Sequence, residues 1–202
     1  MRRVGSVVLD AISRVLSMRG LVGIQITLPC NFSVNMHNIS SVKDDSTAKT
    51  CNDAARQRAE NLAILGYKSV LELCVGPSLK TLESAYGEFG ISVTGNDIEH
   101  RWKQYYPKGK WLIGDCFTVD YSPFDCVVFA PPLSLGCTGR REDSLSINQV
   151  NPSYFNFIDH ITNKNISRLP KSFVLVLPAR SIATKEDRKQ FYFLLATLQK
   201  YH

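Results

Sequence analysis

No apolar run in the chain approaches the roughly 20 residues needed to cross a bilayer. The N-terminal stretch "MRRVGSVVLDAISRVL" is broken by Asp10 and Arg14 and makes a poor secretory signal, so a cytoplasmic protein with no membrane partner is expected. Closely spaced cysteines are also lacking. The six cysteines, Cys30, Cys51, Cys74, Cys116, Cys126 and Cys137, contain no C-x-x-C pair and have no histidine companions at metal-ligand spacing. The four histidines, His37, His100, His160 and His202, are dispersed as well. Neither a zinc site nor a cysteine-histidine nucleophile pair is indicated, and reduced thiols with no bound metal are the expectation. Internal repeats and low-complexity tracts are absent.

What is present suits one soluble globular domain: 202 residues, 44% hydrophobic and 21% charged. A formal charge of +6 and a pI near 9.0 favour a polyanionic partner such as RNA or DNA, because basic surface attracts phosphate without reading sequence. Arg2, Arg3, Arg14 and Arg19 fit a solvated face equally well.

Five short β-rich runs follow one another from the middle of the chain: 69–74 (SVLELC), 91–98 (ISVTGNDI), 110–115 (KWLIGD), 124–130 (FDCVVFA) and 172–178 (SFVLVLP). Their nearly continuous apolar character suits strands buried on both faces of a parallel sheet. Helices are predicted between and around them. "DAARQRAENLAILGY" is capped by Asn52 or Asp53, faces Leu62 and Leu65 inward and stops at Gly66; "TLESAYGEFG" stops near Gly87 or Gly90. "NPSYFNFIDHIT" places Tyr154, Phe157, Ile158 and Ile161 at helical spacing, and "KEDRKQFYFLLATLQKYH" does the same with Phe191, Leu194, Leu195 and Leu198. This alternation predicts an α/β fold with a doubly wound, mostly parallel sheet flanked by helices. Upstream, Val7, Val8, Ala11, Ile12, Val15 and Leu16 fit a helical stripe and "LVGIQITLP" alternates like a strand; a helix followed by a strand, or a β-hairpin, satisfies the first 28 residues. The polar stretch from Cys30 to Thr50 reads as a loop or lid. The expected division is an N-terminal segment over 1–51 and a ligand-binding domain over 52–202.

In open α/β sheets ligands bind beyond the carboxyl ends of the strands, so those ends carry the chemistry. The first reads "LELCVGPSLK": an acid within the strand, a glycine turn and a helix after Ser78 whose free N–H groups can meet a ligand. It cannot be read as G-x-G-x-x-G, which weighs against a dinucleotide-binding fold. The second ends in Asn96 and Asp97, and a carboxylate there can accept from both hydroxyls of a ribose. The third ends in "GDCF", with Asp115 as an acceptor and Phe117 as a stacking surface. Singly, Asp97 or Asp115 could be a turn former.

Together and in this order the strand ends resemble those of the class I S-adenosylmethionine-dependent methyltransferases, over about residues 52 to 202. The resemblance implies a Rossmann-like fold and S-adenosylmethionine as cofactor. It implies that Glu72, Cys74, Val75, Gly76, Pro77 and Ser78 hold the methionine part, that Asp97, with Ile98 after it, binds the ribose, and that Asp115, with Cys116 and Phe117, binds the adenine. The family has three alternating glycines in the first turn; here Cys74 and Ser78 occupy the outer two positions.

The fourth strand runs into "APPL", Ala130, Pro131, Pro132 and Leu133. This resembles the Asn/Asp/Ser-Pro-Pro-aromatic motif of the branch that methylates exocyclic amines of bases or a glutamine side chain. Prolines donate no N–H and push the preceding residue toward extended geometry, so the carbonyls of Ala130 and Pro131 can face the cleft as acceptors for an amine. Ala130 lacks the family's side-chain acceptor and Leu133 lacks its aromatic ring. Beyond the motif, Arg140 and Arg141 lie in a Gly-containing basic loop that can meet phosphate or pair with Glu142 or Asp143. Tyr154 can line the pocket or fill the core. Family members usually add an antiparallel hairpin beside the fifth strand, and here either the hairpin is lacking or the N-terminal residues fill its place in a permuted order. The expected activity is methyl transfer to an exocyclic amine of a nucleic acid; methylation of a small molecule or protein, and a non-catalytic cofactor-binding or partner-binding module, are the alternatives.

Overall fold

The computed structural model describes residues 23–29, 35–39, 52–132, 145–163, 170, 172–177 and 184–200. Seven strands form one sheet: β1 (Gly23–Pro29), β2 (Asn35–Ile39), β3 (Ser69–Leu73), β4 (Ser92–Asp97), β5 (Trp111–Ile113), β6 (Cys126–Phe129) and β7 (Ser172–Leu177). Their spatial order is β2-β1-β7-β6-β3-β4-β5. The five strands from β7 to β5 are parallel. β1 lies antiparallel to β7, with Ile24 opposite Leu177, and β2 lies antiparallel to β1. Among the described residues the α-helices are α1 (Asn52–Ile64), α2 (Leu79–Gly87), α3 (Arg101–Tyr105), α4 (Tyr154–Asn163) and α5 (Lys185–Lys200). This is the Rossmann-like, doubly wound α/β architecture that the alternation predicts, and the N-terminal strands supply an antiparallel pair beside β7.

The central strands β3, β6 and β7 are buried on both sides because both sides are covered. Val70, Cys126, Val128, Val174 and Val176 pack with Ala55, Ala59 and Leu62 of α1 and Leu79, Leu82 and Tyr86 of α2. The alternate positions, Leu71, Leu73, Val127, Phe129, Phe173, Leu175 and Leu177, pack with Tyr154, Phe157 and Ile158 of α4 and Phe191, Leu194 and Leu195 of α5. Phe129 and Phe157 stack with ring centroids 4.2 Å apart. At the amino end of the sheet, Asp125 Oδ2 accepts from the Lys68 and Ser69 N–H groups at 2.9 and 3.0 Å, which sets β6 beside β3.

The helix ends follow local chemistry. Gly66, at φ +78°, closes α1: its N–H donates to the Ala63 carbonyl and the Tyr67 N–H to the Leu62 carbonyl, a pairing that satisfies the last carbonyls. Leu65, expected to face inward, is 38% exposed because the helix has ended one residue earlier. At the start of α5 the Thr184 hydroxyl accepts from the Asp187 N–H at 3.1 Å while Asp187 Oδ2 accepts from the Thr184 N–H at 3.2 Å. Within the Cys30–Thr50 stretch expected to be a loop, Asn35–Ile39 is a strand, and backbone pairing with β1 rather than a hydrophobic pattern makes it one. The helical stripe over Val7 to Leu16 lies outside the described residues.

One charge sits in the middle of this apolar packing. Glu72 of β3 is 1% exposed and faces α1 and α2, where Arg58 Nη1 donates to both its oxygens at 2.9 Å and the Tyr86 hydroxyl donates to Oε1. Burial alone would lower the Arg58 pKa; the adjacent Glu72 carboxylate outweighs it and holds the guanidinium firmly charged. Removing one member of such a pair strands the other charge. Arg58→Met is expected to lower stability by about 3–5 kcal/mol, and Arg58→Met with Glu72→Leu to recover most of that loss, as read from urea unfolding midpoints.

Candidate functional site at the carboxyl ends of the parallel strands

The chain runs outward from β3 through β4 to β5 and then returns to β6 on the other side of β3. The crevice beyond the carboxyl ends of β3 and β6 is therefore the switch point at which this architecture holds ligands. After Leu73 the backbone turns sharply. Cys74 adopts φ +58°, a left-handed conformation that costs a residue with a Cβ about 1–2 kcal/mol. Gly76 follows at φ +53° and opens the 3₁₀ turn Gly76–Ser78, from which α2 continues.

Two hydrogen bonds tie this turn to β4. The Val75 N–H donates to the Asn96 carbonyl at 3.0 Å, and the Gly76 N–H donates to Asp97 Oδ2 at 2.8 Å. Asp97 Oδ1 accepts from the Glu99 N–H at 2.9 Å. The turn sits so low over β4 that a Cβ on Gly95 would lie 2.8 Å from Val75 Cγ1. Asn96 then ties β4 to the loop after β5: its Nδ2 donates to the Leu112 and Gly114 carbonyls, each at 3.0 Å. Asp115 lies exposed beyond that loop, with Oδ1 accepting from the Phe117 N–H at 3.0 Å. Phe117 is half-buried, edge-on to His160 with centroids 5.4 Å apart.

The thiols of Cys74 and Cys116 meet here. The neighbouring Cys116 thiol, then burial, then the charges of Asp97 and Asp115 push the Cys74 pKa far up, while the Cys74 thiol pulls that of Cys116 down. The structure thus gathers Cys74, Gly76, Asp97, Asp115 and Cys116 at adjoining strand ends. Around them Val75 and Ser78 are buried, Pro77 is half-buried, and Ile98, next to Asp97, is 72% exposed. At the end of β6, Ala130 is half-buried against the α1/α2 side of the core, Pro131 is buried and Pro132 is exposed. Leu133, Arg140 and Arg141 lie outside the described residues.

Two residues expected at the site sit elsewhere. Glu72 points into the core one residue before the strand ends, its carboxylate committed to Arg58 and Tyr86. Tyr154 is fully buried, edge-on to Phe129, with its hydroxyl donating to the Val176 carbonyl at 2.5 Å, so its helical spacing marks the core. Sequence reasoning passed over Gly95 and, although it named Asn96 at the strand end, gave it no role. The signal was a glycine inside a predicted strand, which marks close backbone approach.

Among the described residues, no group of three or more His, Cys, Asp or Glu side chains could hold a metal ion, and no helix is long and apolar enough to cross a membrane. No protein-family model and no curated protein sequence matches the chain.

The buried thiols make stability sensitive to alkali. Burial in β6 pushes the Cys126 thiol from its ordinary 9.0 up to about 12. The unfolded chain ionises first, so the stability present below pH 9 declines as pH rises toward 12, by up to about 4 kcal/mol for this group. Cys126→Ala should flatten that decline relative to the parent in urea unfolding measured from pH 8 to 11.

Proposed function

We propose that the chain is an S-adenosylmethionine-dependent methyltransferase whose acceptor is an exocyclic amine of a nucleic acid. The observation that carries this reading is the bond between the glycine turn after β3 and the acid ending β4, Gly76 N–H to Asp97 Oδ2 at 2.8 Å, at the switch point of the sheet. Cys74 strengthens it. The resemblance puts a glycine there, and the cysteine keeps the left-handed backbone that glycine favours, at φ +58°. Ser78, in place of the last glycine, has an ordinary helical backbone that needs none. The antiparallel pair β1–β2 beside β7 occupies the edge where the family carries its hairpin, in a permuted order.

The residues present fit the cofactor. Gly76 leaves the backbone open to close approach, Asp97 offers lone pairs not taken by the Gly76 and Glu99 N–H groups for ribose hydroxyls, and Asp115 is an exposed acceptor for the adenine amine. When bound, S-adenosylmethionine supplies an electrophilic methyl group on a sulfonium. Asp97 and Asp115 set negative charge at the crevice, which favours that cation. At β6, Pro131 and Pro132 donate no N–H, and the carbonyls of Ala130 and Pro131 are the acceptors that would hold an amine with its lone pair toward the methyl group. Positioning and electrostatics then account for catalysis without a covalent enzyme intermediate.

A second reading, methylation of a small molecule or a protein side chain, is favoured by Ala130. Its methyl packs against the core and adds no acceptor to the two backbone carbonyls.

Calorimetric titration tests the cofactor. S-adenosylmethionine and S-adenosylhomocysteine should bind with micromolar affinity and NAD should not; failure of the first two removes the assignment. Asp97→Ala should weaken cofactor binding by about tenfold or more, since it deletes a charged acceptor and frees the Gly76 N–H. Unchanged affinity in that variant would place the cofactor elsewhere.

A further inference from the structure

We infer that the corner formed by α3 and β5 is a docking surface for single-stranded nucleic acid. The inference rests on the nucleic-acid part of the proposed function and assigns it a surface. From His100 to Gly114 the chain carries no carboxylate, while Arg101, Lys103, Lys108 and Lys110 are all exposed. Among the described residues neither Lys103 nor Lys108 has a carboxylate partner, and Lys110 donates to the neutral Ser92 hydroxyl at 2.8 Å. Arg101 pairs with Glu99 and lies over the Trp102 ring, 4.4 Å from its centroid.

Aromatic surface is interleaved with these cations. Tyr105 is 64% exposed, so much of its ring is open to solvent. Its neighbours are held firmly: the Tyr106 hydroxyl donates to Glu83, and Trp111 Nε1 donates to the Tyr106 carbonyl at 2.8 Å. A rigid corner that alternates free cations with an exposed ring matches a strand whose phosphates and unstacked bases are both accessible. A duplex hides its base faces and would leave Tyr105 without a role. β5 is also the edge of the sheet, and flanking lysines discourage a protein strand from pairing there. The surface begins directly after Asp97 and Glu99, so a bound strand would pass the rim of the crevice.

The test is fluorescence anisotropy of the full chain with a labelled mixed-sequence single strand and the matching duplex, across a salt series. Lys103→Gln with Lys108→Gln should weaken single-strand binding by about tenfold and reduce the slope of log K against log salt by about 1.4, near 0.7 for each lost phosphate contact. Tyr105→Ala should weaken it by about fivefold or more. All three positions are exposed, and unchanged circular dichroism confirms that the fold is kept. Equal binding by variants and parent, equal binding of strand and duplex, or no oligonucleotide binding by the parent would each overturn the inference. Calorimetry with S-adenosylmethionine on the same samples separates it from the cofactor assignment: variant-sensitive strand binding in a chain that takes no cofactor upholds this surface and removes the methyltransferase reading.

Discussion

A carboxylate in the middle of a buried strand leaves a fold little choice. Glu72 has no water to solvate it, and its helix-facing position between α1 and α2 would be a defect without a cation and a hydroxyl in reach. Arg58 from α1 and Tyr86 from α2 meet that need, so one charge holds both helices against β3 in a defined register. Apolar packing alone tolerates sliding; a guanidinium nitrogen shared by both carboxylate oxygens and an aimed phenol do not. The turn after β3 begins two residues later, and its position over β4 depends on α2 being where Tyr86 anchors it.

The candidate site is a second network laid on this one. Backbone N–H groups of the β3 turn are taken by the end of β4, and the end of β4 in turn holds the loop after β5. Three strand ends thereby share one set of hydrogen bonds. Such cross-linking preorganises acceptors before any ligand arrives, which is the condition for electrostatic positioning to count in binding or catalysis. It also explains how a cysteine persists in a left-handed turn: the surrounding bonds over-determine the backbone there.

Much of the fold was legible in the residues. The five parallel strands fall within a residue or two of the apolar runs, and those covered on both faces, β3, β6 and β7, have the most distinctive composition. Helix stripes were equally readable, down to Phe191, Leu194 and Leu195. Asn35–Ile39 was not, since a polar edge strand is made by its neighbour and carries no pattern of its own. At the site, Asp97 and Gly76 could be named from their order along the chain, whereas the fate of Glu72 could not. The clue lay 14 residues upstream, where Arg58 interrupts the inward stripe of Ala55, Ala59 and Leu62. An arginine on an apolar helix face announces a buried partner, and Glu72 is the acid it meets. The meeting of Cys74 with Cys116 was illegible for a different reason: their separation in sequence matches no pairing motif, and only the order of the strands brings them together.

The antiparallel pair at the β7 edge carries a consequence for how the molecule is made. Among the described strands β1 leaves the ribosome first and its partner β7 last, with Ile24 waiting for Leu177. Contacts of such long separation are the slowest to form. The β7-facing edge of β1 therefore stays unpaired while β3 to β6 are made, and the parallel strands emerge before that edge is covered.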